Sequence, residues 1–359
     1  MALEIKTSHI PDPDGHNPAL LLKGDWLIIE ISDGHHCGYG EASHSRDDDA
    51  CRKTILDLFE SYVADIDLDV QGIEKLSHGA FSTAASFVTA TAISGINQAL
   101  LDLVAKREGK SVRGLFSNED CRSRVPAYAT INRALTTRTS DNYYETVSHA
   151  IRQGFRAIKC APFEKVSTKG DQLAQSREGL SVLEYLRSNF PDLSIRIDFH
   201  ERFHLRTFEQ ILPALEALSP YWLEAPIPIG PDYAELRPLS QTKMALGELY
   251  FGREGFNRIL MNGWADVIMP DVKHVGGFGP LIDVVRHFSD TAEVSPHNPS
   301  GPVPCAASLH AAAISSNVTS VEVPLIIDDK RAYYLEWMDA GCLRIPEGPG
   351  WGVEPGAAR

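Results

Sequence analysis

The sequence is short of positive charge: 34 lysines and arginines stand against 48 aspartates and glutamates, a formal charge of −14 over 359 residues. A field of that sign repels phosphate backbones and anionic headgroups, so no nucleic acid and no membrane surface is expected as a partner. An anionic substrate would have to be met by a local positive centre, and a bound metal ion would serve. Cysteine is scarce too, with six residues and no C-x-x-C pair. A chain this long does not need a disulfide framework, and reduced thiols in a cytoplasmic setting are the simplest reading. No run reaches 18 uninterrupted apolar residues, and the opening MALEIKTSHIPDPDGHNP has no apolar stretch behind a basic one. Neither export nor a membrane span is expected on those signs.

What is present is ordinary for a globular protein: 43% apolar and 23% charged residues, enough to exclude intrinsic disorder as the main state. The length predicts roughly two domains. Residues 19–43 alternate apolar runs such as WLIIEIS with SDGHHCGYGEAS, which reads as antiparallel strands joined by Gly-rich turns. From Asp47 to about Arg107 the apolar spacing changes to that of helices. This first third therefore reads as α+β.

From Val125 onward eight short apolar or β-branched runs recur: VPAYATI, RAIKCAP, SIRIDF, YWLEAP, KMALGE, ADVIMP, AEVSPH and VTSVEVP. Helix-length segments separate them, and eight successive parallel βα units close naturally into a barrel. The expected fold class is α/β, a (β/α)8-type barrel behind an α+β capping domain. The expected boundaries are residues 1–118 for the cap, 119–325 for the barrel and 326–359 for a Pro- and Gly-rich tail that returns to the cap.

Catalytic groups in parallel barrels project from the C-terminal strand ends. Three successive runs end in carboxylates, Asp198, Glu224 and Glu248. Gathered at one mouth, they would raise one another's pKa and oppose folding unless a cation neutralised them. All-oxygen ligation suits Mg2+ better than Zn2+; solvated loop acids or helix caps are the alternative. The next two strand ends carry Asp271 and His297. An aspartate bonded to one ring nitrogen fixes the tautomer and leaves the other as a general base, although a purely structural pair would look the same. His200 lies two residues after Asp198, so strand alternation predicts that both face the same side. It is either a metal ligand, an acid/base opposite His297, or a residue packed under a loop. Glu322, ending the eighth run, is a candidate partner for a substrate oxygen or a rim salt bridge.

The order Asp198, Glu224, Glu248, Asp271, His297, with GFRAIK before it and GPGWGVE near the end, resembles the mandelate racemase group of the enolase superfamily over nearly the whole chain. The resemblance implies Mg2+ on the three carboxylates and removal of the proton α to a substrate carboxylate through an enediolate. Members with a Lys-x-Lys motif use its second lysine as a base; here the stretch is Lys159-Cys160-Ala161, and the second lysine is absent. Lys159 matches the first, which in that family touches the substrate carboxylate; a barrel-lining lysine paired with a nearby acid is the alternative. The Asp198-x-His200 arrangement is similar to galactonate and mannonate dehydratases, in which His297 would be the base, Asp271 its orienter and His200 the acid. That implies a hydro-lyase forming a 2-keto-3-deoxy acid from an acid sugar, and a homo-oligomer of even number. An epimerase, racemase or lactone or anhydrosugar cycloisomerase on the same scaffold is the alternative, and a non-catalytic sugar-acid binding or structural protein is one of another class. Substrate choice is expected from cap loops around 10–18 and 43–49, with His16, Asn17, His44 and Arg46 as possible contacts. Trp222 and Phe251 read as packing residues.

Overall fold

The computed structural model describes residues 3–10, 25–63, 66–81 and 86–355. His16 and Asn17, and most of the first expected specificity loop, lie outside the described residues. In the cap, β1 (Glu4–Ile10), β2 (Trp26–Ser32) and β3 (Cys37–Glu41) form an antiparallel sheet in the order β1-β2-β3. Helices α1 (Asp48–Leu58), α2 (Val70–Phe81) and α3 (Phe87–Arg107) cover it, followed by the short α4 (Val112–Phe116). The helix starts are written locally: Asp47 accepts from the Ala50 amide and Ser86 from the Thr89 amide, satisfying donors that a first turn leaves unpaired.

Two glycines in the stretch read as a turn, Gly38 and Gly40, belong to β3 instead. A Cβ on Gly40 would sit 2.0 Å from the Gly95 carbonyl oxygen, and one on Gly38 2.1 Å from that of Ala99. Glycine is therefore what lets α3 press against the sheet. That helix has the length and mean hydropathy of a membrane span, but 83% of its apolar window is buried inside the protein. It is the central helix of the cap core.

All eight runs expected as barrel strands form: β4 (Arg124–Thr130), β5 (Ala157–Cys160), β6 (Ser194–Asp198), β7 (Trp222–Glu224), β8 (Lys243–Leu246), β9 (Val267–Ile268), β10 (Glu293–Val294) and β11 (Val321–Pro324). Each pairs in parallel with its neighbour from β4 to β10; β11 pairs with β4, and a Val294–Val318 bridge closes the ring. Between them run α5 (Ser140–Arg152), α6 (Gln172–Asn189), α7 (Leu205–Ala217), α8 (Tyr233–Leu236), α9 (Gly252–Met261), α10 (Phe278–His287) and α11 (Pro302–Ile314). No α-helix follows β11 among the described residues; a single 3-10 turn (Leu335–Trp337) leads into a hairpin of β12 (Met338–Asp339) and β13 (Cys342–Arg344), and β13 adds antiparallel to β4. Beyond it the chain reaches the cap, where the Trp351 amide donates to Asp102 on α3 at 2.7 Å and its indole to the Tyr39 carbonyl at 3.0 Å. The tail thus ties barrel and cap together.

Candidate functional site

The register of the parallel strands sets Asp198 opposite Glu224, and Glu248 follows β8 by two residues. Carboxylate oxygens of the three lie within 4.8 Å of one another. Lys159 on β5, only 2% exposed, reaches Glu224 at 3.0 Å, Glu322 at 3.0 Å and Asp198 at 3.6 Å. One ammonium cannot balance so many acids. Burial first, then the Asp198 charge, push the Glu224 carboxyl well above the usual range, with Lys159 opposing them. The Trp222 indole donates to Glu224 at 3.2 Å, so this packing residue also aims the carboxylate. Crowded, part-neutralised oxygens with no nitrogen or sulfur donor among the three fit a hard divalent cation.

Asp271 and His297 come together as a hydrogen-bonded pair, Nδ1 to Oδ2 at 2.7 Å, and the other ring nitrogen faces Glu248 at 3.2 Å. Burial opposes ionisation of Asp271, but the Lys273 ammonium, with His274 and His297, outweighs it and holds the carboxyl far below its ordinary range. Lys273 is wholly buried and contacts both Asp271 oxygens, at 2.9 and 2.7 Å.

His200 meets Asp198 as expected, Nε2 to Oδ2 at 3.0 Å, but strand alternation is not what puts it there. The strand ends at Asp198, and His200 and Glu201 both take left-handed backbone, φ 50° and 58°. Such backbone at non-glycine residues costs about 1 kcal/mol or more each and persists where surrounding contacts enforce it. Those contacts include the Glu201 amide donating to the Ala225 carbonyl at 2.7 Å and the His200 amide to Asp198 at 3.1 Å. The other ring nitrogen, Nδ1, bonds the Glu164 carboxylate. Burial opposes protonation of the ring, yet the Asp198 and Glu164 carboxylates raise its pKa well above the ordinary histidine value.

With that geometry in place, residues 142–358 match the family model of the enolase C-terminal domain-like proteins. The chain belongs to this family. It is 27% identical over 288 residues to a D-gluconate dehydratase of Thermoproteus tenax, covering 76% of this chain and 56% of that protein, so the match spans little more than half of that relative's length. It is 26% identical over 285 residues to a D-galactonate dehydratase of Ralstonia pickettii, covering 74% and 71%. Among solved structures, a mandelate racemase/muconate lactonizing enzyme-like protein from Rubrobacter xylanophilus superposes with a TM-score of 0.83 at 23% identity, over 98% of this chain and 94% of that one. The likeness to that structure is one of fold.

In this enolase-like chain the cap also reaches the mouth. His44, at φ 64°, is buried with both ring nitrogens against the Arg133 guanidinium, at 2.9 and 3.5 Å. Burial, then the Arg133 and Lys273 charges, hold its pKa well below the ordinary value, so it stays neutral and accepts. Arg46 lies over the Phe87 ring at 5.0 Å, and Phe251 packs on the same ring. Ala161 is buried where a second lysine would stand, and Glu322 accepts from the Asn298 amide at 3.2 Å. Three neighbours of the site went unread in the sequence: Lys273, Glu164 and Arg133. All lie just past strand ends, so the rule that found the acids could have flagged them; nothing in residue type alone set them apart.

Proposed function

We propose that the protein is a Mg2+-dependent dehydratase that converts a sugar acid into its 2-keto-3-deoxy product. The observation that carries this reading is a pair of imidazoles attached to the outer two members of the carboxylate triad, His297 on Glu248 and His200 on Asp198. A base and an acid on different strand ends are what elimination needs. His297, oriented through Nδ1 by Asp271, takes the α proton at Nε2. His200 gives a proton to the 3-hydroxyl as its C–O bond breaks, water leaves, and the resulting enol becomes the ketone. Lys159 meets the substrate carboxylate, and Glu322 bonds a substrate oxygen. Asp198, Glu224 and Glu248 would hold Mg2+, which when bound supplies positive charge against the second anionic oxygen that develops as the α proton leaves. Ala161 cannot accept a proton, which speaks against a lysine-based racemase. The names of the Thermoproteus and Ralstonia relatives, D-gluconate dehydratase and D-galactonate dehydratase, support an aldonate-type substrate.

The test is a screen of acid sugars with Mg2+ for 2-keto acid formation, followed by histidine variants in deuterated water. His297→Asn is expected to abolish both α-proton exchange and turnover, by on the order of 10^3-fold, whereas His200→Asn spares exchange and stops elimination. The inverse pattern would swap the two roles. Products of unchanged formula would mean epimerisation, and neither exchange nor keto acid with any acid sugar would overturn the reading.

A further inference from the structure

We infer that Glu164 is a positioning residue for His200, fixing the ring so that Nε2 faces the triad and the departing hydroxyl. The inference rests on the dehydratase reading and deepens it. Glu164 stands in the loop after β5 and bonds His200 through Nδ1. That bond selects which nitrogen is turned toward Asp198, because an imidazole held at one nitrogen can present only the other. Glu164 is itself clamped: Arg202 donates to its second oxygen at 2.7 Å and to the Val166 carbonyl at 3.3 Å. Gln172 in turn holds the Arg202 carbonyl at 2.7 Å.

The residues just before the pair bring the two loops to a set distance. Phe163 and Phe199 stack with ring centroids 5.0 Å apart and planes 12° from parallel, and Phe203 closes edge-on against both. Glu164 and His200 follow these two rings directly in the chain. The left-handed backbone at His200 turns the imidazole out of the strand path and toward that carboxylate. His200 remains 39% exposed, so packing alone does not lock its rotamer. The hydrogen bonds do.

The experiment measures α-proton exchange and keto acid formation side by side, by NMR in deuterated water, for the Mg2+-loaded full chain with whichever acid sugar the screen finds. Glu164→Ala is expected to lower elimination about 10- to 100-fold while exchange stays within about threefold. Glu164→Gln, whose amide oxygen can still accept from Nδ1, is expected to show a smaller loss in the same direction, as is Arg202→Met, which leaves the acid but removes its clamp. Parallel loss of exchange and elimination in all soluble variants, or an unchanged ratio, overturns the assignment. Should the wild type neither exchange nor eliminate, the dehydratase reading fails and this inference with it; a wild type that does both, beside variants of constant ratio, sinks this inference alone.

Discussion

The two ends of the barrel both bury charge, and they treat it differently. Toward the floor, Arg196 lies between three aromatic rings, 4.5 Å from Tyr128, 4.5 Å from Tyr221 and 4.7 Å from Trp222. Nearby Lys243 pairs with Glu293, which also accepts from the Tyr221 hydroxyl at 3.0 Å. Positive charge there is closed off by packing and a matched partner. At the mouth, two residues further along the same strands, Asp198 and Glu224 replace Arg196 and Trp222, and acids outnumber the cations that touch them. Left-handed backbone also gathers at the mouth, at His44, His200, Glu201 and Ala225. Buried charge alone therefore does not mark a site; charge left over after every local partner is counted, on backbone held away from its preferred region, does.

The strongest test of this contrast removes one of the surplus acids. Glu224→Gln is expected to cost on the order of 10^3-fold in turnover and to erase a rise in Tm of a few degrees that Mg2+ gives the chelator-treated wild type, since a ligand that binds only the folded state must stabilise it. A wild-type Tm indifferent to Mg2+ would remove the triad as a cation site. A half-buried acid outside both ends makes a sharper control. Glu74 on α2, bonded by the Asn97 side chain at 3.1 Å, has its pKa raised by burial from 4.5 to about 7, and no ion pair reaches it among the described residues. Because the folded pKa exceeds the unfolded one, this group's favourable contribution is complete below pH 4.5 and is lost as pH rises through 7, by up to about 3 kcal/mol. Glu74→Gln should leave Tm at pH 4.5 unchanged, raise it at pH 8, and leave turnover alone; a catalytic defect would show that an uncompensated acid matters functionally even without a strained neighbour. The smallest effect is expected at the floor. Arg196→Met keeps the packing volume and should lose about 2 kcal/mol of stability in denaturant titrations through the missing cation–π contacts, with the Mg2+ response intact. Loss of that response would break the distinction between the ends.

Much of this was legible in the chain. The eight strands announce themselves as short apolar runs, and the three acids and the Asp271–His297 pair stand out as the polar residues at the C-terminal ends of those runs. Less legible was the aiming of His200: period-two alternation predicted the right neighbour for the wrong reason, since the strand has already ended and a left-handed turn sets the direction of the ring. Lys273 and Glu164 look like any other lysine and glutamate until their partners are known. The glycines of CGYGE suggested a turn because pattern shows only the freedom of glycine, not the helix that presses on it.

The linear order of residues determined the strand count, the class of fold and which acids and histidines stand at strand ends, because alternation, helix period and turn chemistry act over a few neighbours. Tertiary structure decided how charge is shared: that Lys159 is divided among three acids, that Lys273 takes both oxygens of Asp271, and that His44 meets Arg133 across the seam between cap and barrel. Those contacts depend on burial and on ångström-scale distances between segments far apart in the chain, and electrostatic energy in a desolvated site is set by these quantities rather than by residue type.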